Sequence, residues 1–243
     1  SNGSVITNDE NMLKRSFDSN YCQCKFAVMN PELTYTLPAY QTASGCVDIM
    51  MHTMERYFSV DSMALTDAMS EALLRVVLKY SRIVMSSPAD YEARATIMWA
   101  GSLSHNGLTG CGSIGDWAPH MIEHELGGMF DVAHGAGLAA IWGSWARYVL
   151  KVKPERFAQF AENVMGISSG ESAEETAIAG IEALENFFRE LHMPTNLREL
   201  GCEPTDAQIA ELADKCCDGD THTVGHFMPL KSSDVAAILT AAK

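Results

Sequence analysis

Two polar residues lie four positions apart in the apolar segment 45–55, and together they could bind a metal ion. They are Asp48 and His52. In a helix, residues at this spacing share one face, with Cβ atoms about 5–6 Å apart. A carboxylate and an imidazole at that separation can bind one divalent cation. The same pair can also form a simple hydrogen bond within a helix, so the spacing alone leaves both interpretations open.

Five of the eight histidines lie between residues 52 and 134: His52, His105, His120, His124 and His134. His120 and His124 are four apart and follow Pro119, which fits the start of a helix. His134 opens a further apolar helix over 138–149. One carboxylate and three imidazoles from three helices would form a transition-metal site with room for a substrate oxygen.

Residues 120–124 also match H-x-x-E-H, the pattern of inverted zinc proteases, which is an alternative interpretation. In that pattern both histidines bind zinc and the glutamate is the general base. Glu123 would be the base, and Glu199 could supply a third ligand. This interpretation gives Asp48, His52 and His134 no function.

Two further patterns are predicted to be loops. Residues 110–115 match G-x-G-x-x-G, but the preceding residues indicate a helix instead of the strand that a dinucleotide-binding motif requires. His222 and His226 are four apart, yet Gly225 between them and Pro229 after them favour a loop. Apolar residues near the central histidines fit either a pocket or the core, among them Trp99, Met121 and Trp142.

The elements that must position these side chains fall into two parts. Residues 1–36 carry short β-like runs at 4–7 and 25–29, too few for an independent sheet. From residue 37 onwards, helical spacing of apolar residues and punctuation by Gly and Pro predict about eight to ten helices. The fold class is therefore mainly α, with an all-helical domain at 37–243 after a strand-rich segment at 1–36.

Two helices are especially clear in the apolar pattern. One apolar face extends over residues 69–84, and another over 178–191. Ser172 and Glu175 form a capping-box pattern before the second helix, and Pro194 follows its end.

Composition limits the class of protein. The 243 residues are 47% hydrophobic and 20% charged, which is typical of a globular chain. The net charge of −14 argues against nucleic acid and anionic membranes as partners. No apolar run reaches the roughly 18–20 residues of a membrane span, and no signal peptide is evident. Seven cysteines, including the adjacent Cys216 and Cys217 and the Cys22/Cys24 pair, are expected to be packing thiols of a cytoplasmic protein.

The motif set resembles the iron-containing (group III) alcohol dehydrogenases, particularly the butanol dehydrogenase and aldehyde reductase branch. The resemblance rests on Asp48-x-x-x-His52-x-x-Glu55, on His120-x-x-x-His124, and on His134 with the following glycine. Residues 5–7 with Lys14, and the segments 30–38 and 134–139, are also similar to that branch. The family's N-terminal dinucleotide-binding half is missing from the resemblance, which implies that residues 1–36 are a short β-strand remnant of that α/β domain.

The resemblance implies four metal ligands: Asp48, His52, His120 and His134. His124 would face the substrate and relay a proton, and the metal would be iron(II) or zinc(II). Lys14 and Thr34 would reach the ribose and nicotinamide end of NAD(P)(H). The implied reaction transfers hydride between a small alcohol or aldehyde and this nucleotide.

Two alternatives stay open beside the dehydrogenase. The chain could be a catalytically silent helical domain that binds metal but no nucleotide, or the peptidase described above. A homodimer is a further partner that an exposed helical face could support.

Overall fold

The computed structural model describes residues 3–243, which form ten α-helices and one two-stranded antiparallel sheet. The strands are β1 (Gly3–Asn8) and β2 (Leu13–Asp18). The helices are α1 (Ala39–Tyr57), α2 (Ala64–Ser86), α3 (Tyr91–His105), α4 (Ala118–Phe130), α5 (His134–Val149), α6 (Pro154–Asn163), α7 (Ala173–Glu190), α8 (Leu197–Leu200), α9 (Asp206–Cys216) and α10 (Ser232–Ala241). The mainly α fold class is confirmed.

The N-terminal strands agree only partly with the prediction. The run at 4–7 lies within β1, but the strand predicted at 25–29 is wrong, because these residues are irregular. Phe26 and Val28 are 82% and 84% exposed, and within residues 3–243 no strand pairs with them. An extended segment forms a strand only where a neighbour takes its backbone hydrogen bonds. The partner of β1 is instead β2, which pairs Val5 with Ser16.

The two clearest helices are confirmed with small differences. The first predicted face lies within α2, although Val76 is 37% exposed at its edge. In α7, the Ser172 hydroxyl accepts the N–H of Glu175 at 3.1 Å. The Glu175 carboxylate accepts the N–H of Glu171 rather than that of Ser172, so only half of the predicted capping box forms. The helix ends at Glu190, before Pro194.

The core lies around α1 and α5, which pack against each other and against α2, α3, α4 and α7. Its largest fully buried side chains include Trp142, Trp145, Tyr57, Phe58, Phe157, Phe160, Phe187 and Phe188. Each such side chain contributes about 1.5–3 kcal/mol on burial. The two central helices are therefore held firmly from several sides.

A glycine brings α5 close to α1. A Cβ on Gly135 would lie 2.0 Å from the Ser44 carbonyl oxygen, so only glycine allows this approach. Ser44 lies one helical turn before Asp48 in α1. The close approach therefore brings His134, the first residue of α5, to Asp48, with Nε2 3.5 Å from Oδ1. The sequence His134-Gly135 thus supplies both a polar side chain and the space for it.

The seven cysteines are all free. Four are buried and pack as apolar residues: Cys46, Cys202, Cys216 and Cys217. Cys22, Cys24 and Cys111 are exposed, which corrects the expectation that they pack inside the protein. Among residues 3–243, no helix combines the length and apolar character that crossing a membrane requires.

Candidate metal centre

Three of the four predicted metal ligands approach the fourth, at the Oδ1 oxygen of Asp48. The Nε2 atoms of His120 and His134 each lie 3.5 Å from it, and Nε2 of His52 lies 3.6 Å from it. These distances are long for hydrogen bonds. Two ligands bound to one ion at about 2.1 Å in a tetrahedral arrangement are about 3.4 Å apart. The separations between Asp48 and each of the three histidines therefore match the spacing of two ligands around one ion.

Buried donor atoms at this point lack hydrogen-bond partners. Among residues 3–243, Asp48 Oδ1 and His120 Nε2 are both shielded from solvent and both unpaired. An unsatisfied buried polar group costs about 1–3 kcal/mol, and more when it is charged. A cation between them would satisfy both atoms at once. One carboxylate and three imidazoles fit a divalent transition metal such as iron(II) or zinc(II).

Carboxylates behind two of the histidines fix their ring orientation. Glu55 Oε2 lies 2.6 Å from Nδ1 of His120, and Glu55 Oε1 accepts the backbone N–H of His120 at 3.0 Å. The Glu123 carboxylate contacts Nδ1 of His134. Because a carboxylate lies against Nδ1 in each ring, Nε2 is the nitrogen directed at Asp48. Glu55 belongs to the motif but had been assigned no function from sequence.

The same contacts disagree with the peptidase interpretation. Glu123, its proposed base, holds His134 and also lies 3.7 Å from Nζ of Lys14. Glu199, its proposed third ligand, accepts the backbone N–H of Thr195 at the start of α8. The ring of His124 is 6.2 Å from that of His120 between centroids. The residues of that interpretation are therefore engaged elsewhere.

Proton affinities in the cluster follow from burial and from the neighbouring charges. Burial alone would raise the pKa of Asp48, but His120, His52 and His134 hold it well below its ordinary value. Burial alone would lower the pKa of His120, but Glu55 and Asp48 raise it to about 10. Burial and the neighbouring His134 lower the pKa of His124 to about 3, in contrast to the near-neutral titration expected of a free imidazole.

A cavity of about 770 Å³ opens onto the centre. It is lined by the four ligands and by residues of the hairpin, α1, α3 and α4, among them Val5, Ser16, Arg56, His105, Trp117, Met121 and His124. Among the apolar residues that were candidates for a pocket, Met121 lines this cavity. Trp142 is fully buried in the core, and Trp99 is 56% exposed on the surface.

The two residues expected to contact a nucleotide lie in different places. Lys14 on β2 pairs with Glu123 and lines a neighbouring cavity of about 340 Å³ together with His124. Thr34 lies in the 3₁₀ turn Pro31–Thr34, where its hydroxyl donates to the Pro31 carbonyl at 2.6 Å. Thr34 lines neither cavity. The cofactor contacts of both residues stay predictions.

Sequence reasoning missed one histidine of the cavity. His105, the last residue of α3, places Nε2 3.8 Å from Asp48 Oδ2. It belongs to the histidine-rich segment 52–134, but the sequence indicates no role for it, because no helical spacing connects α3 with the predicted ligands. The concentration of histidines was the available signal.

Both predicted loops are confirmed. Residues 110–115 form the end of a 3₁₀ turn and a bend between α3 and α4. Residues 222–226 lie between α9 and α10 outside any helix. There the backbone N–H groups of His226 and Phe227 donate to Asp116, which joins the loop to the start of α4.

The helical body brings three imidazoles to one partly buried carboxylate, a donor set that suits a divalent metal ion. Residues 42–243 match the family model described as Fe-containing alcohol dehydrogenase family, C-terminal. This match covers more than half of the chain, and the chain belongs to that family.

Individual relatives agree with the family match. NADH-dependent butanol dehydrogenase A of Clostridium acetobutylicum is 37% identical over 236 residues, 96% of this chain and 60% of its own length. NADPH-dependent aldehyde reductase YqhD of Escherichia coli K12 is 36% identical over 203 residues, 83% of this chain and 52% of its own. The chain thus spans less than two thirds of the length of these relatives.

Solved structures give the same result for the fold. The crystal structure of YqhD from E. coli K-12 superposes with a TM-score of 0.95 at 33% identity, covering 100% of this chain and 62% of that one. NADH-dependent butanol dehydrogenase A from Thermotoga maritima gives 0.93 at 32% identity, covering 99% of this chain and 62% of its own. The helical arrangement of this chain is therefore the family's.

Proposed function

We propose that this chain supplies the metal-binding part of an NAD(P)(H)-dependent alcohol dehydrogenase or aldehyde reductase. The observation that carries the proposal is the convergence of three Nε2 atoms on the unpaired Oδ1 of Asp48. Two relatives are named as NADH- or NADPH-dependent enzymes for butanol or aldehydes. A nicotinamide nucleotide and a small alcohol or aldehyde are accordingly the proposed partners.

The residues that would hold the metal are Asp48, His52, His120 and His134. Their donor set accommodates iron(II) or zinc(II). When bound, the ion supplies Lewis-acid polarisation of the alcohol or carbonyl oxygen.

The surrounding side chains orient the ligands and the substrate. Glu55 and Glu123 hold the rings of His120 and His134 with Nε2 directed at Asp48. His124 lines the cavity beside Met121, where its imidazole can donate or accept a hydrogen bond. We assign to His124 the hydrogen bond to the substrate oxygen and the movement of its proton. The Trp117 and Met121 side chains at the cavity wall would limit access of water to the reacting carbon.

The nucleotide side of the proposal rests on fewer contacts. Lys14 lies beside His124 in the neighbouring cavity, which supports a cofactor contact there. Thr34 has the family resemblance alone in its favour. The division into a cofactor-domain remnant at 1–36 and a catalytic domain at 37–243 stays a prediction, as do a cytoplasmic location and a homodimer.

Metal analysis of the purified chain tests the proposal. After washing with a chelator and reloading, we expect about one iron or zinc per chain. Asp48→Asn should lose that metal, because it removes the charge on which three imidazoles converge. Asp61→Asn, which changes an exposed acid, is the matched control and should keep it. Full occupancy in Asp48→Asn would overturn the assignment.

The alternative, a helical domain that binds metal without catalysis, differs from the dehydrogenase in nucleotide binding. Titration of the metal-loaded chain with NADH and NADPH, followed by nucleotide fluorescence, separates the two candidates. Binding supports the dehydrogenase, and retained metal without nucleotide binding supports the silent domain.

A further inference from the structure

One more imidazole lies at the edge of the metal centre. His105 ends α3, and its side chain is 29% exposed into the cavity that the predicted ligands line. Its Nε2 lies 3.8 Å from Oδ2 of Asp48, whereas the contacts of the other three histidines are with Oδ1. Its ring centroid is 3.7 Å from that of His52.

We propose that His105 is a fifth protein ligand of the metal centre and binds through Nε2. The proposal rests on the proposed function, because it requires that a metal ion occupies this centre. It adds a ligand from a fourth helix to the three helices that carry the predicted set.

The hydrogen bonds of His105 prepare Nε2 for a metal. Its Nδ1 lies 2.9 Å from the Gly101 carbonyl oxygen, which can only accept a hydrogen bond. In the neutral ring Nδ1 therefore carries the proton, and Nε2 carries the lone pair. The Ser104 hydroxyl, 2.7 Å from Nδ1, donates to the same Gly101 carbonyl. Its oxygen is thus free to accept from Nδ1 as well.

This arrangement matches that of two predicted ligands. His120 and His134 also have Nδ1 against an acceptor and Nε2 toward Asp48. Metal-binding histidines characteristically hold the second ring nitrogen in this way. Among residues 3–243, no side-chain or carbonyl acceptor holds a ring nitrogen of His124 by a hydrogen bond. In this respect His105 resembles His120 and His134, whereas Nδ1 of His52 has no partner.

An arginine fixes His105 beside His52. Nη1 of Arg56 donates to the His52 carbonyl at 2.6 Å and to the Ser104 carbonyl at 2.7 Å. It thereby joins the turn of α1 that carries one imidazole to the turn of α3 that carries the other. The guanidinium also lies 4.6 Å from the ring centroid of Trp117, which restricts its movement. These hydrogen bonds to backbone carbonyls thus hold the two histidines close together.

The donor atoms form two triads that share Asp48. Asp48, His52 and His105 have ligand atoms within 4.8 Å of one another, and so do Asp48, His120 and His134. Two ligands on opposite sides of one ion at about 2.1–2.2 Å are about 4.2–4.4 Å apart, so modest side-chain rotation brings both triads onto one ion. Five protein donors exceed the four of a tetrahedral zinc site. We therefore expect the centre to favour ions of higher coordination number, such as iron(II) or cobalt(II), over zinc(II).

Cobalt(II) binding to the full chain tests the inference without any enzymatic assay. The chelator-washed protein and His105→Leu are titrated with cobalt(II), and visible absorption is recorded. We expect His105→Leu to weaken cobalt(II) binding by about 10–100-fold. This is the loss found when a residue that orients a metal ligand is changed, and removal of a ligand should cost at least as much. The visible bands should become more intense, because cobalt(II) absorbs more strongly at lower coordination number. His222→Leu, an exposed histidine of the neighbouring cavity, should behave as the unmodified chain.

A second variant separates ligation from packing. His105→Gln keeps a polar side chain of similar reach but offers no imidazole, and it should lose affinity as His105→Leu does. Restored affinity and an unchanged spectrum in His105→Gln would overturn the inference, as would unchanged binding in His105→Leu. Absence of cobalt(II) binding in the unmodified chain, or full binding in Asp48→Asn, would instead overturn the proposed function.

Discussion

Helix α1 takes part in two buried polar clusters that differ in how their charges are satisfied. At its C-terminal end, Arg156 donates to both carboxylate oxygens of Asp67, at 2.7 and 2.6 Å, and to the Tyr57 carbonyl. Glu71 Oε1 accepts hydrogen bonds from the Tyr57 hydroxyl and from two amide side chains. None of these charged side chains has a buried polar atom left unpaired. This closed network is complete within the protein.

In the candidate metal centre on the same helix, by comparison, buried polar atoms lack hydrogen-bond partners, and we call this cluster open. Asp48 Oδ1 lies 3.5–3.6 Å from the Nε2 atoms of three histidines and has no hydrogen-bond partner. Other buried atoms without a partner include the neutral Trp142 Nε1 and Ser70 Oγ, and one carboxylate oxygen each of Glu123 and Glu125. The second oxygen of Glu123 contacts His134, and that of Glu125 accepts from Arg15. The Asp48 oxygen differs because three imidazole nitrogens approach it, and one cation between them would satisfy these atoms together. The closed cluster therefore serves the fold, whereas the open cluster has the donor atoms of the proposed metal site.

The largest expected effect tests the closed cluster. Asp67→Ala leaves the Arg156 guanidinium buried without its carboxylate, and we expect the free energy of unfolding to fall by about 3–5 kcal/mol. Denaturant titration measures the change, with Asp61→Ala as the exposed control. Metal content per folded chain should not change. A loss below about 1 kcal/mol, the range of an exposed pair, would contradict a structural role for the network.

A smaller effect is expected from the carboxylate behind a metal ligand. Glu55→Gln keeps an oxygen for the His120 N–H but removes the charge that holds Nδ1. We expect metal affinity to fall by about 10–100-fold, measured by competition with a chelator of known affinity. Glu92→Gln, an exposed glutamate of α3, is the control. Unchanged affinity together with a large loss of stability would place Glu55 with the structural network instead.

Much of the fold could be predicted because a helix forms its backbone hydrogen bonds within its own segment. The apolar spacing over 69–84 and 178–191 identified α2 and α7, and each helix needs only a buried face to be stable. A strand depends on a partner that sequence spacing does not reveal. For that reason residues 25–29, with Phe26 and Val28 exposed, were wrongly predicted as a strand, and β2 was missed.

Helical spacing and the family motif predicted the part of the candidate site that lies within single helices. Two pairs are one helical turn apart and could be found from sequence spacing alone: Asp48 with His52, and His120 with His124. The separation of roles within H-x-x-E-H depended on tertiary contacts, since Glu123 meets His134 of the next helix. His105 comes from α3 and reaches Asp48 only through the packing of α3 on α1. Its position required the three-dimensional structure.

Removal of one hydrogen bond from the closed network should have a modest effect. Tyr57→Phe deletes the donor to Glu71 Oε1, which keeps Gln159 and Asn163 at 2.8 and 2.9 Å. We expect a loss of about 1 kcal/mol in the free energy of unfolding, the usual net value of a hydrogen bond. Tyr40→Phe, at a residue 46% exposed, is the control. A loss as large as that of Asp67→Ala would mean that Tyr57 is indispensable to the network.

The smallest expected effect is a pH dependence of the closed cluster, measured with chelator present. Burial alone would raise the pKa of Asp67, but the hydrogen bonds and charge of Arg156 hold it below the ordinary 3.8. The unfolded chain therefore binds more protons at this residue than the folded chain as the pH falls below about 4, and the stabilisation contributed by Asp67 decreases there. The difference in unfolding free energy between the unmodified chain and Asp67→Ala should be constant near neutral pH and should narrow below pH 4. If it widened on acidification, the folded protein would bind the proton more readily at Asp67 than the unfolded chain, and the network would not be closed by an ion pair.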